Sequence, residues 1–167
     1  MVAPRYDERD DGGLGPVELV RAHAEGKARS VAADAGERPV LGVDTAVVLG
    51  DSVLGKPEGE GDAVDMVTRL AGQTHVVVSG LCLLAPGWEV VDHAETRVTF
   101  RELTPREIAR YVATEEWRNR AGAYAIQARG GALVERIEGD YLNVVGLPAA
   151  LLSGHLADHF PGAYGVG

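Results

Sequence analysis

Asp44 stands where the surrounding sequence disfavours a charge. It lies in Leu41-Gly-Val-Asp-Thr-Ala-Val-Val-Leu49, an apolar run bounded by glycine that reads as a buried strand. Burying a carboxylate there costs several kcal/mol unless it is paired or ligates a metal. Gly50-Asp51 reads as the tight turn of a hairpin, and its short second strand brings Lys56 and Pro57 back towards the same end of the sheet. An acid and a base are thus expected to face one pocket. Thr45 and Gln127 add polar groups in apolar or glycine-rich settings, with Glu8 and Lys27 as outliers. Carboxylates and lysines, without histidine or thiol, suit metal-assisted transfer to water at phosphorus. Magnesium neutralises phosphate charge there, and a carboxylate orients or deprotonates the water. The competing reading of the same residues is a buried Asp44–Lys56 ion pair with a structural role only.

Other chemistries fit less well. Gly50-Asp-Ser-Val-Leu-Gly55-Lys56 has the spacing of a phosphate-binding P-loop, but Pro57 stands where a Ser or Thr must hold magnesium. The segment also opens in a hairpin and not at a helix, so Lys56 is left as a point charge for phosphate, held by the rigid Lys-Pro pair. His155 and His159 are the only helical histidine pair, and two ligands without a third seldom make a zinc site; a solvated helix face is expected. Ser79-Gly80 lacks a nucleophile elbow. A net charge of -9 and a pI near 5.0 argue against binding nucleic acid through phosphates. The single cysteine, Cys82, excludes an internal disulfide and reads as a core residue. Nothing resembles a signal peptide or a membrane span, which makes a reducing cytoplasm the expected compartment.

The elements that must position these residues follow from periodicity. With 167 residues, 46% of them hydrophobic, the chain is expected to form one domain over 1–167. Met1 to Gly15 reads as a loop carrying the acidic cluster Asp7-Glu8-Arg9-Asp10-Asp11. Pro16 opens a helix through Val17, Val20, Ala24, Ala28 and Ala32; Lys27, near its far end, reads from position alone as an exposed lysine. A helix is predicted from Asp62, as N-cap, to Leu70, stopped by Gly72. Strands are predicted over Thr74 to Leu84 and Trp88 to Phe100, the second alternating as a half-exposed antiparallel strand should. Thr104-Pro105-Arg106-Glu107 is a capping box for a helix to about Ala113 or Thr114. Beyond lie a glycine break at Gly130-Gly131, a strand from Ala132 to Ile137, a turn at Glu138-Gly139-Asp140, and a last helix from Leu147-Pro148 to Phe160. Helices and strands mix without a strict βαβ rhythm, so the fold class is α/β, a mixed β-sheet flanked by helices.

Six blocks in one order resemble the Maf proteins, a family of cytoplasmic nucleotide pyrophosphatases once described as septum-formation inhibitors. They are Asp7-Glu8 with Lys27-Ala28; Gly42-Val43-Asp44-Thr45; Gly55-Lys56-Pro57; Leu70-Ala-Gly-Gln-Thr-His75; Ala121-Gly-Ala-Tyr-Ala-Ile-Gln127; and Glu138-Gly-Asp-Tyr-Leu-Asn-Val-Val-Gly-Leu-Pro148. The resemblance runs from Asp7 to about Leu152. It implies a Maf/inosine-triphosphatase-like fold, a homodimer, and hydrolysis of nucleoside triphosphates to monophosphate and pyrophosphate with Mg2+ or Mn2+. Asp44 would be the general base. Lys27, Lys56 and Glu8 would serve the triphosphate and its metal, with Glu8 and Asp44 as metal ligands, and Thr45 and Gln127 would select the substrate. The Ala-Gly-Ala-Tyr-x-Ile-Gln form resembles the branch acting on dTTP and UTP.

Two departures qualify the match. The family opens with a strand and a Ser-x-Ser-Pro-Arg-Arg loop, whereas only Ala3-Pro4-Arg5 precedes Asp7 here, so the arginines of that loop are expected to be absent. Asn119-Arg120 stands where the family commonly has Asp-Lys. A catalytically impaired, nucleotide-binding regulatory protein is the alternative that these departures leave open.

Overall fold

The computed structural model describes residues 2–8 and 13–162; Met1 and residues 9–12 of the predicted N-terminal loop lie outside the described residues. The elements in order are α1 (Pro16–Ala35), β1 (Val40–Leu49), β2 (Ser52–Leu54), α2 (Glu60–Leu70), β3 (Thr74–Ala85) and β4 (Trp88–Phe100). These are followed by α3 (Pro105–Val112), two 3-10 turns (Ala121–Ala123 and Arg129–Leu133), β5 (Val134–Glu138), α4 (Tyr141–Val145) and α5 (Ala149–His159). The strands form one five-stranded sheet in the order β2-β1-β3-β4-β5. This is the α/β class, a sheet with helices, that the residue patterns predict. No described helix is long and apolar enough to cross a membrane.

The chain divides into two compact units, each taken by itself below. The first comprises Met1–Asp44, Ser79–Ala94 and Gly146–Gly167. Its centre is the contact of α1 with two glycines. A Cβ on Gly42 would stand 2.2 Å from the Ala24 carbonyl oxygen, and one on Gly80 would stand 2.2 Å from that of Val20. Only glycine lets a strand backbone come this near a helix backbone. Ala24, Ala28, Val40 and Cys82 close the small core around that contact. Burial, then the neighbouring Glu89 carboxylate, pushes the Cys82 thiol up to about 12, so it is the inert core residue expected. His155 departs from the solvated face predicted for it: it is half-buried, and its Nε2 lies 3.0 Å from Asp92.

The second unit comprises Thr45–Val78 and Glu95–Val145 and holds the larger core, built from Val67, Leu70, Val98, Phe100, Ile108, Trp117 and Tyr124 among others. The predicted hairpin is present: β1 and β2 pair antiparallel with Leu49 opposite Ser52, and Gly50 adopts φ +58 in the turn. β4 and β5 pair antiparallel from Arg97 opposite Glu138 to Phe100 opposite Val134. The capping box is complete, because Thr104 accepts from the Glu107 amide while the Glu107 carboxylate accepts from Thr104.

Three expectations need correction. The N-cap of α2 is Gly59 and not Asp62, whose carboxylate accepts from the Glu58 amide 3.0 Å away inside the first turn. The strand predicted from Ala132 begins at Val134, because Arg129–Leu133 form a 3-10 turn in which Gly130 and Gly131 press against the chain at Ala125 and Ile126. Tyr141–Val145, which the predicted elements leave between the Glu138-Gly139-Asp140 turn and the helix from Leu147, is helical. Asn143 in that helix is fully buried and donates to the Val77 carbonyl and the Thr96 hydroxyl, both at 3.1 Å.

Candidate active site

The first unit brings three of the predicted residues to one point. The Lys27 ammonium donates to Asp44 Oδ1 at 2.5 Å and to Glu8 Oε1 at 2.7 Å. The side chains of Lys27 and Asp44 are 18% and 14% exposed and that of Glu8 is 41%, so the cluster opens to solvent on the Glu8 side. Lys27 therefore corrects its reading as an exposed lysine. It falls in the middle of α1, one residue before Ala28, which lies against Gly42, and Asp44 follows Gly42 by two residues on the same face of β1. The glycine contact thus sets the reach between ammonium and carboxylate.

Glu8 arrives by another route. The segment before it runs along α1: the Arg5 amide donates to the Ser30 hydroxyl at 3.2 Å, and the Arg5 guanidinium pairs with Asp34. Tyr6 lies over Gly26, where a Cβ would meet its ring at 2.2 Å, and its hydroxyl is 3.1 Å from His23 Nδ1. Residues 2–8 of the predicted loop are irregular but docked. Tyr6 and His23 were not legible as site residues, though a glycine inside the helical pattern at Gly26 signals close approach by something bulky.

Burial alone would pull the Lys27 ammonium down, but hydrogen bonds to Asp44 and Glu8 and the charges of both outweigh it, and its pKa is held above the ordinary lysine value. At neutral pH Lys27 is a cation, unsuited to act as a base. The two carboxylates it pairs with, Asp44 and Glu8, are the groups of the cluster that can accept a proton.

A divalent cation can be tested against this donor set. Two carboxylates converge on a single positive centre, and among the described residues no group of three or more His, Cys, Asp or Glu is placed to hold a metal. Magnesium commonly takes one or two carboxylates and completes its shell with substrate phosphates and water. Glu8 and Asp44 fit a cation shared with a polyphosphate, and do not form an all-protein cage.

The second unit carries Thr45, Lys56 and Gln127. Thr45, the residue after Asp44 in β1, is half-buried, whereas Lys56 and Gln127 are exposed. Gly55, just before Lys56, accepts from the Gly122 amide at 3.1 Å, which ties the lysine segment to the start of the segment that ends in Gln127. Gly122 adopts φ +66, and a Cβ there would meet the Val47 side chain at 3.0 Å, so glycine is required on both counts.

A family model described as Maf-like protein matches residues 1–159. The chain is 52% identical over 146 residues to the dTTP/UTP pyrophosphatase of Moorella thermoacetica, covering 86% of this chain and 75% of that protein. It is 50% identical over 139 residues to the dTTP/UTP pyrophosphatase of Nitratidesulfovibrio vulgaris, covering 83% and 66%. With the Clostridioides difficile protein of the same name it shares 43% over 162 residues, covering 96% and 84%.

Proposed function

The chain belongs to the Maf family, and from that premise we propose that it is a nucleoside triphosphate pyrophosphatase. Its substrates are dTTP and UTP or modified pyrimidine nucleotides, which it converts to the monophosphate and pyrophosphate. The observation that carries the reading is the Lys27 cluster, in which a part-buried carboxylate is oriented by a lysine whose charged form is favoured, beside a second carboxylate.

In the proposed reaction, water attacks the α-phosphorus and gives its proton to Asp44. The α–β bridging P–O bond breaks, and pyrophosphate leaves with the electron pair. Lys27 holds Asp44 and Glu8 in place. Lys56 binds the triphosphate as a point charge, and Thr45 and Gln127 select the base. A divalent cation, Mg2+ or Mn2+, held by Glu8 and Asp44 together with the phosphates, supplies charge neutralisation when bound. The proposal extends to a single Maf-like domain, a homodimer and a cytoplasmic location, the state that the family resemblance implies.

The test is pyrophosphate release from a panel of nucleoside triphosphates with magnesium, comparing wild type with Asp44→Asn. The reading predicts release from dTTP and UTP that the substitution abolishes. Equal release by both proteins contradicts the role of Asp44, and tight binding of UTP without turnover by wild type contradicts the activity.

A further inference from the structure

The proposed chemistry leaves His75 without a task. It lies in β3 within the second unit, 1% exposed, with the rings of Phe100 and Tyr124 edge-on at centroid distances of 5.1 and 5.5 Å. Nε2 and the Tyr124 hydroxyl are hydrogen-bonded at 2.9 Å, while Nδ1 has no partner among the described residues. An unpaired polar atom in such a core is costly, and leucine or phenylalanine would fill the space without one. What histidine adds here is a polar atom aimed at Tyr124.

Tyr124 is extended and leads into the turn 125–128, which carries Gln127, and each residue between Tyr124 and Gln127 is held. The Ala125 amide donates to the Tyr111 hydroxyl at 3.2 Å, and the Ala125 carbonyl accepts from the Ala128 amide at 3.2 Å. A Cβ on Gly130 would stand 2.6 Å from the Ala125 oxygen, and one on Gly131 would stand 2.7 Å from that of Ile126. Tyr124, Ala125 and Ile126 are buried, and Gln127 is the first exposed side chain after them. The direction in which Gln127 leaves the core is therefore set by this turn, and the ring that leads into it is anchored through its hydroxyl to His75.

We propose that His75 is a positioning residue for substrate selection: by holding the Tyr124 hydroxyl it fixes the chain where it enters the turn 125–128 and sets where the Gln127 amide meets the nucleobase. This rests on the reading of Gln127 as a substrate residue. A side-chain amide recognises a base edge through a donor and an acceptor at fixed spacing, so a small rotation of the turn trades one hydrogen bond for none. Burial pulls the His75 imidazole down to about 4 and pushes the Tyr124 phenol up, so both groups of the hydrogen bond are neutral at pH 7.

Wild type, His75→Leu, His75→Gln and Tyr124→Phe test this. Glutamine returns a polar group to the place of Nε2, and Tyr124→Phe removes one oxygen while keeping the ring in the core. Two quantities are read on proteins whose thermal unfolding shows them folded: the ratio of kcat/KM for UTP to that for ATP, and the NMR signal of the Gln127 side-chain amide without nucleotide. Loss of one neutral hydrogen bond predicts a KM for UTP roughly tenfold higher in His75→Leu and Tyr124→Phe, with kcat little changed and the ratio lowered to match. The Gln127 signal moves in both variants, and His75→Gln restores ratio and signal. An unchanged ratio, or a Gln127 signal that stays in place in Tyr124→Phe, overturns the proposal whatever the loss of stability. If wild type turns over none of the nucleotides, the proposed activity falls instead, and the Gln127 signal alone decides the role of His75.

Discussion

The Lys27 cluster and the His75–Tyr124 pair hold their polar groups in opposite ways. Lys27, Asp44 and Glu8 are charged, stand at the edge of solvent and are matched cation to anion, which keeps charge available for chemistry at a tolerable desolvation cost. His75 and Tyr124 are neutral, lie inside a core and share one hydrogen bond between aromatic edges. Charge is placed at the edge of solvent, and neutral polarity inside the core, where it holds the chain that presents other side chains. The charged region owes its geometry to backbone contact at Gly42 and Gly80, and the neutral region owes its own to side-chain fit.

That contrast is open to challenge in order of expected effect. The largest is Asp44→Asn, for which loss of a general base predicts a fall in turnover of roughly 10²–10⁴-fold in a protein that stays folded, with a lowered melting temperature because the ion pair to Lys27 is broken; turnover kept despite that lowering would make Asp44 structural. The second is pH. His75 takes up a proton near 6.5 when unfolded but only near 4 when folded, so the unfolded state binds more protons between these values, and stability falls as pH drops from 6.5 to 4. The size is on the order of 3 kcal/mol, visible in denaturant midpoints and removed by His75→Gln. Lys27 behaves in the other sense: its raised pKa gives stability that is present below 10.5 and fades above it, so the two regions titrate at opposite ends of the scale.

Third, Gly42→Ala puts a methyl group against the Ala24 carbonyl and shifts α1 from β1. Overpacking of this kind predicts a loss of roughly 1–3 kcal/mol, accompanied by lower turnover because Lys27 moves relative to Asp44. Equal stability with full turnover would show that the helix–strand contact does not set the cluster. The smallest effect belongs to Thr104→Ala, which removes the cap of α3 at about 0.5–2 kcal/mol and should leave turnover unchanged. The Glu107 carboxyl is held down at about 2 by its hydrogen bonds to the Thr104 backbone and side chain, then by Arg101, so the cap weakens as pH falls from about 4.5 towards 2.

Local chemistry was legible in the sequence wherever it acts over a few residues. The Thr104 capping box, the Gly50-Asp51 hairpin and the bounds of β4 depend on neighbours within reach along the chain. Asp44 stood out because a charge in an apolar run needs a partner. The identity of that partner was not legible, since Lys27 lies in another element and looks from its helix like an exposed lysine. Small residues on α1 facing glycines on two strands were the available signal, but two sequence-distant patterns must be superposed to read it. α4 was missed because five residues are too few to show a helical period, and what holds Asn143 there comes from Val77 and Thr96, far along the chain. His75 and Tyr124 lay in separate blocks of the resemblance, and nothing in either block says that they touch.

The most direct test of the central claim is hydrolysis of UTP in water enriched in 18O, with the label followed by mass spectrometry in wild type and Asp44→Asn. Attack at the α-phosphorus with Asp44 as base predicts label in the monophosphate, none in the pyrophosphate, and almost no product from Asp44→Asn. Label in pyrophosphate or in inorganic phosphate, or labelled monophosphate formed equally fast by Asp44→Asn, would contradict it.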